Sequence, residues 1–488
     1  MVAINYESFR FRPTYWLVIP LLAVVAYLNV LRIGFLSDDF VLLFQASTAK
    51  SPLYAFAFDR TQYFYRPVGQ TLAWWLNWQI WGYDPLPFHL VGLLLHAGIA
   101  TLLGLWLAEV FPKQRIVGWL AGALFAVYPL SAEAVGWLAD QWDLWAALFM
   151  LLSLYLFTKW WLRPGGNGRI LYFLALVCYF AALVSKESVL AFLPIYAIAA
   201  LLATARRDQT AIRRVALSLV PFGLLLIIYL GLRITALGSI GGYPISSNSP
   251  LSGFLGNGWD ILFSRFLYLL FAPVNASLVG LATQQSLALL LALAWIVGLC
   301  VYARRSASWL ILAVAWLVVG FVPALNLSLS IQSSDLQQTR FLYIGSAGYC
   351  IGAAAVLYNV VISIRHRLTK RMAIGGIALV LAACIVGSWS NLRSWQAATN
   401  YDLAINQRLL NLIPAQPRPR GTAWYIQDLP DNYRGAYLFR LGLGAMQRFT
   451  RSLDQTVGTV AIPSDATTEQ VEQLLRKDVR DSYGLRFK

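Results

Sequence analysis

Charge is scarce in this 488-residue chain: Asp, Glu, Lys and Arg together make up only 12% of it. A water-soluble protein of that size cannot cover its surface with so few charges. Hydrophobic residues at 59% and a mean hydropathy of +0.61 exclude one. Cysteine is nearly absent. The four present, Cys178, Cys300, Cys350 and Cys384, all fall inside apolar runs, where they read as packing residues rather than disulfides or metal ligands. There is no Walker loop, no GxGxxG, no heptad pattern and no internal repeat. No Ser/His/Asp order or CxxC spacing points to acyl transfer or a structural metal. The net charge of +16 comes from basic residues in short loops between apolar runs, where they act as topology signals and not as a nucleic-acid surface.

What the chain does have is long apolar runs, and a membrane crossing needs roughly 20 apolar residues. Eleven candidates follow one another: 15–35, 88–110, 116–130, 142–161, 170–184, 188–203, 215–234, 287–303, 309–327, 341–364 and 372–389. The first follows Arg10 and Arg12 and reads as a signal anchor. With the N-terminus inside, the cytoplasmic loops collect Lys113 and Arg115, then Lys159, Arg163 and Arg169, then Arg206, Arg207, Arg213 and Arg214. Arg304 and Arg305 follow, and last Arg365, Arg367, Lys370 and Arg371. Two more apolar stretches, 68–81 and 259–274, would invert every later loop if they crossed. The positive-inside rule makes them interfacial or re-entrant.

The acids distribute the opposite way. Asp38, Asp39, Asp59, Asp84, Glu133, Asp140, Asp143, Glu187, Asp260 and Asp335 fall on the outer side, against Glu7, Glu109 and Asp208 inside. After 390 the composition turns polar and proline-bearing, which predicts a C-terminal extracytoplasmic unit over 391–488, α/β or irregular, with a helix at 468–478. The expected architecture is an all-α polytopic membrane protein of about 11 spans plus interfacial helices over 1–390, with that small appended domain. The first outer loop, 36–87, carries the adjacent pair Asp38-Asp39. The pair has two readings: a helix start capped by Ser37 or Asp38, or a catalytic carboxylate at the membrane surface.

Other outer-face clusters are Tyr65-Arg66-Pro67 with His89 and His96 beyond it, Tyr128 to Asp143 around Glu133, and Thr339-Arg340-Phe341-Leu342-Tyr343. Lys186-Glu187 reads as a self-paired couple at a helix end. His89 and His96 share a helix face but lie about 10 Å apart along it, so they cannot hold one zinc. What remains is carboxylate plus arginine: a carboxylate can deprotonate a hydroxyl, and an arginine can hold a phosphate leaving group bidentately. Arg66 or Arg340 could equally be snorkelling to lipid headgroups.

Asp38-Asp39 after the first span, then YRP, WGYDPLPFHLVGLLLH, YPLSAEAVGWLADQWDLWAALF, SKES and TRFLYIGSAGY, in that order, resemble the transmembrane part of the TMTC-type protein O-mannosyltransferases and their bacterial relatives over roughly residues 15–365. These are GT-C glycosyltransferases. The resemblance implies an inverting transferase of a polyprenyl-phosphate-linked monosaccharide, whose acidic motif falls here on Asp38 and Asp39. Gln141 stands where that family often has arginine, and no tetratricopeptide repeats follow the membrane part. On this reading Asp38 is the base, with Asp39 as helper or as ligand of a divalent cation, Mg2+ or Mn2+. Arg340, Arg66 and Tyr343 bind the donor phosphate. Glu133, Asp143, Lys186, Glu187 and His89 position the substrates, and the acceptor is a glycan, lipid or protein hydroxyl. The reading from another class is a polytopic lipid or polysaccharide transporter or flippase, although the charges sit at helix ends rather than at the bilayer midplane and no paired repeat is visible.

Overall fold

The computed structural model describes residues 12–57, 64–163, 165, 168–204, 209–238, 267–275, 279–322, 336, 338–412, 423–427, 430, 432–439, 446, 458–462 and 482–486. Over its described residues, each of the eleven apolar runs is mainly helical. The α-helices are α1 (Val18–Tyr27), α2 (Asp38–Thr48), α3 (Ala73–Trp81), α4 (Pro85–Val110), α5 (Arg115–Val127), α6 (Ala132–Gly136), α7 (Gln141–Leu162) and α8 (Gly168–Leu183). They continue with α9 (Leu193–Ala203), α10 (Gln209–Leu237), α11 (Leu267–Phe271), α12 (Leu281–Phe321), α13 (Tyr343–Ser363) and α14 (Arg367–Leu412). Among the described residues seven helical stretches are long and apolar enough to cross a membrane, or eight if the bent pair Pro112–Val127 and Pro129–Gly136 counts as one. Gly168–Leu183, Glu187–Ala203 and Ala307–Phe321 are apolar but shorter. The chain is a polytopic, helical integral membrane protein.

The stretch at 68–81 forms a π-helical turn, Pro67–Leu72, running into α3. At 1.5 Å per residue these two pieces reach about 22 Å, short of a hydrocarbon core of about 30 Å. Of 259–274 only the part from Leu267 is described, as α11; the rest, and the predicted helix at 468–478, lie outside the described residues.

α12 doubles back on itself. Trp295 donates to the Tyr349 carbonyl on α13, and Trp316 donates to the Ile344 carbonyl. A straight helix would set Trp295 and Trp316 about 31 Å apart, whereas their partners are separated by about one and a half turns. Two antiparallel arms therefore flank α13, matching the two runs 287–303 and 309–327.

The compositional break at 390 is not a break in the chain. α14 continues to Leu412, and Leu392, Trp395 and Ala398 belong to the same hydrophobic core as the membrane bundle. The boundary expected at 390/391 thus falls inside a helix, because Asn391 donates to the carbonyls of Pro129 and Pro273 and so pairs polar groups that the bundle itself leaves open. Beyond it a three-stranded parallel sheet, ordered β4-β1-β5, is built from β1 (Ala423–Gln427), β4 (Gly458–Ile462) and β5 (Ser482–Arg486). A short antiparallel hairpin, β2 (Asn432–Tyr433) with β3 (Ala436–Tyr437), packs on α14.

Candidate active site

The loop after α1 ends in a strained turn. Ser37 holds φ at +49°, a conformation costly for a residue with a β-carbon, and its side chain does not cap α2. Its hydroxyl donates instead to Asp38 Oδ1 at 3.1 Å. The anchoring role belongs to Asp39, which is buried. Its Oδ2 accepts the Leu36 N–H at 2.8 Å and its Oδ1 accepts the Ala139 N–H at 2.7 Å. Burial pushes the Asp39 carboxyl well above the usual carboxylate range, against the opposing pull of those two N–H donors. Asp38, at the first position of α2, is only half-buried.

Asp39 ties α2 to the short turn Leu138–Asp140 that leads into α7. One residue on, Asp140 enters an ion network buried at this end of the bundle. Its Oδ1 lies 3.7 Å from both Lys186 Nζ and Arg340 Nε, and it accepts from the Trp142 indole at 2.8 Å. Lys186 pairs with Asp143, and Arg340 with Glu133. Glu133 also accepts the Arg340 backbone N–H at 3.0 Å and the Thr339 hydroxyl at 3.1 Å. The Tyr437 hydroxyl, from the C-terminal hairpin, accepts from Arg340 Nη1 at 2.9 Å.

A second network lies alongside. Glu187 takes a two-pronged contact from Arg66 and stands 3.5 Å from Arg233. Arg66 reaches it because Gly69, at the π-helical turn, lets the backbone approach Ser185: a β-carbon there would sit 2.8 Å from the Ser185 β-carbon. The Val68 N–H donates to the Val184 carbonyl across the same contact. Trp142 joins the two networks, with the Arg66 guanidinium 4.6 Å and Lys186 Nζ 5.9 Å from its ring. The first network is sealed, with the Glu133 side chain 1% exposed, whereas the Glu187 side chain is 25% exposed. A small cavity beside the first network is lined by Asp143, Lys186 and Arg340, together with Ser188, Phe192, Gly320, Phe341 and Ile344.

Of the residues singled out from sequence, Asp38, Asp39, Glu133, Asp143, Lys186, Arg340, Arg66 and Glu187 converge at this end. Lys186 and Glu187 are not a self-paired couple. Lys186 has extended backbone, φ −158° and ψ 140°, which sends adjacent side chains to opposite sides. Tyr343 is not brought to the cavity: it is wholly buried, with its hydroxyl 2.8 Å from His96 Nδ1, whose Nε2 lies 3.2 Å from the Ala126 carbonyl. His89 is likewise wholly buried within α4. Sequence reading gave no role to Asp140, Arg233, Tyr437 or the buried Asp402 of α14. Arg233 carried a signal, an arginine inside an apolar run. Tyr437 lies in the segment 429–440, which resembles the tail of bacterial GT-C relatives, but that resemblance gives it no role.

Among the described residues no group of three His, Cys, Asp or Glu side chains could hold a metal ion. Both Asp39 oxygens are already occupied by backbone N–H groups. The Asp38-Asp39 pair is thus joined by no third such ligand among the described residues, and no step below is routed through a divalent cation.

No protein-family model matches the chain. It is similar to protein O-mannosyl-transferase Tmtc1 of Drosophila melanogaster, 32% identical over 180 residues, which cover 34% of this chain and 20% of that protein. It is also similar to protein O-mannosyl-transferase F38B6.6 of Caenorhabditis elegans, 27% identical over 305 residues, 60% of this chain and 42% of that protein. The matched region thus spans less than half the length of either relative. Among solved structures, the apo oligosaccharyltransferase of Archaeoglobus fulgidus aligns with a TM-score of 0.47 at 12% identity, over 85% of this chain and 62% of that one.

Proposed function

We propose that the chain is an inverting GT-C glycosyltransferase, moving a monosaccharide from a polyprenyl-phosphate donor to a hydroxyl acceptor on the extracytoplasmic side of the membrane. The observation that carries this reading is the convergence, at one end of a membrane bundle, of a half-buried carboxylate with two cation-bearing networks drawn from separate loops. Similarity to two protein O-mannosyl-transferases supports the class.

The chemistry follows from the parts. Asp38 accepts the proton of the acceptor hydroxyl as its oxygen attacks the anomeric carbon. The bond from that carbon to the phosphate oxygen breaks on the opposite face, the leaving polyprenyl phosphate takes the electron pair, and the configuration inverts. Arg340 and Arg66 hold the phosphate. The 3.7 Å separations from Asp140 to Lys186 and Arg340 are ion pairs without hydrogen bonds, so a phosphate competes there with a loosely held partner. Asp39 fixes the start of α2 and thereby Asp38, while Asp143 and Glu133 hold Lys186 and Arg340. The sugar and the acceptor, whether glycan, lipid or protein, are chosen by contacts around this cleft.

Purified full-length protein incubated with a panel of polyprenyl-phosphate sugars should bind at least one of them and slowly release free polyprenyl phosphate by transfer to water. Binding to none of the panel would set the reading aside.

A further inference from the structure

The polar tail sends one residue into the ion network, and the local structure that delivers it is well defined. β2 and β3 are joined by a two-residue turn, Arg434-Gly435, with φ of +49° and +91°. Positive φ at both central residues is the type I′ geometry whose twist suits a tight hairpin. The turn is pinned from the bundle side, where Asn275 donates to the Arg434 carbonyl at 3.0 Å. The ring of Tyr433 stacks on Tyr401 of α14 at 5.1 Å. So held, the hairpin buries Ala436, Tyr437, Leu438 and Phe439. The Tyr437 ring lies 4.6 Å from Trp137 and 6.2 Å from Trp395, and its hydroxyl meets the Arg340 guanidinium, which in turn lies 5.5 Å from the ring.

Arg340 is thus gripped by two parts of the chain about a hundred or more positions away on either side, Glu133 and Tyr437. Glu133 neutralises its charge. The Tyr437 hydroxyl is a neutral acceptor that fixes the guanidinium plane without competing for charge. A long side chain that must present a planar fork to a phosphate loses rotamer freedom when it binds. Fixing it beforehand removes that cost from the binding step.

We infer that the C-terminal hairpin is a wall of the donor site and that Tyr437 is the positioning residue that presets Arg340 for the phosphate of the polyprenyl donor. This rests on the reading of Arg340 as a phosphate ligand. On this view the tail is part of the donor-binding machinery, and its attachment to α14 keeps that wall in register with the bundle.

The test uses the full chain in detergent micelles and undecaprenyl phosphate as the probe, with binding followed by the fluorescence of the indoles beside Tyr437. Tyr437→Phe keeps the ring between Trp137 and Trp395 and removes only the hydroxyl. A lost hydrogen bond to a charged group should raise the Kd about tenfold. Turnover at saturating donor, with any polyprenyl-phosphate sugar the protein accepts, should stay near wild type, so that the effect falls on donor KM and not on kcat. A merely structural role would not divide the two in this way, and the melting temperature of the variant checks that the fold is retained. Wild-type affinity in Tyr437→Phe, with weakened binding in Arg340→Ala, would overturn the hairpin's role alone. Wild-type affinity in Arg340→Ala would overturn it together with the phosphate reading.

Discussion

Asp38 and Asp39 are neighbours in sequence with opposite environments. Asp39 is buried and spends both oxygens on backbone N–H groups; Asp38 is half-buried beside a strained serine. Replacing Asp39 with alanine leaves the N–H groups of Leu36 and Ala139 unpaired, a cost of about 1–3 kcal/mol. Its raised pKa also makes a pH statement. A carboxyl whose folded pKa exceeds its unfolded one contributes stability that is fully present below the unfolded value and is lost as pH rises through the folded one. The melting temperature of wild type should therefore fall over that rise, and Asp39→Asn, which cannot ionise, should flatten the slope. An unchanged slope in the variant would assign the pH dependence elsewhere. Most charged residues that meet at this end, Asp140 and Arg233 aside, were singled out in the sequence, but their pairing was not legible there. Nothing in SKES says that Lys186 turns to Asp143 and Glu187 to Arg66, because partner choice depends on how α7 and the 66–69 turn approach.

At the level of elements, hydropathy located the helices that pack in the bundle; among the described residues seven of them, or eight with the bent pair, are long and apolar enough to cross a membrane. How closely they pack depends on small residues whose partners only the fold reveals. α4 and α5 cross so tightly that a β-carbon on Gly122 would sit 2.7 Å from the Ala100 carbonyl oxygen and 3.0 Å from Ile19 Cδ1. Gly122→Val must push the helices apart, and overpacking of this kind costs about 1–3 kcal/mol. A clear drop in melting temperature is expected, and a neutral result would mean that the crossing is looser than described. The continuation of α14 past 390 was hidden for a different reason. Polar residues such as Asn391 and Asn406 are compatible with a helix, so a change of composition marks where hydrocarbon ends and not where the backbone hydrogen bonds stop.

On the scale of the whole molecule, Glu133, Asp140, Asp143 and Glu187 gather with their basic partners where loops meet at one end of the bundle, and the C-terminal hairpin reaches this network through Tyr437 and Arg340. The basic loops occupy other contacts: Gln114 meets Trp309, and Arg214 stacks on Trp161. The docking of the tail is not legible in the sequence, because it depends on how the 432–437 hairpin meets Tyr401, Trp137, Trp395 and Arg340. The central claim is that Asp38 accepts the acceptor proton while other residues hold the donor. The direct measurement is turnover and donor affinity of Asp38→Asn beside wild type, in the same detergent and with the same polyprenyl-phosphate sugar. General-base removal is expected to lower kcat by about 10²–10⁴-fold while donor Kd stays near wild type. Turnover kept at the wild-type level, or donor binding lost in step with activity, would contradict it.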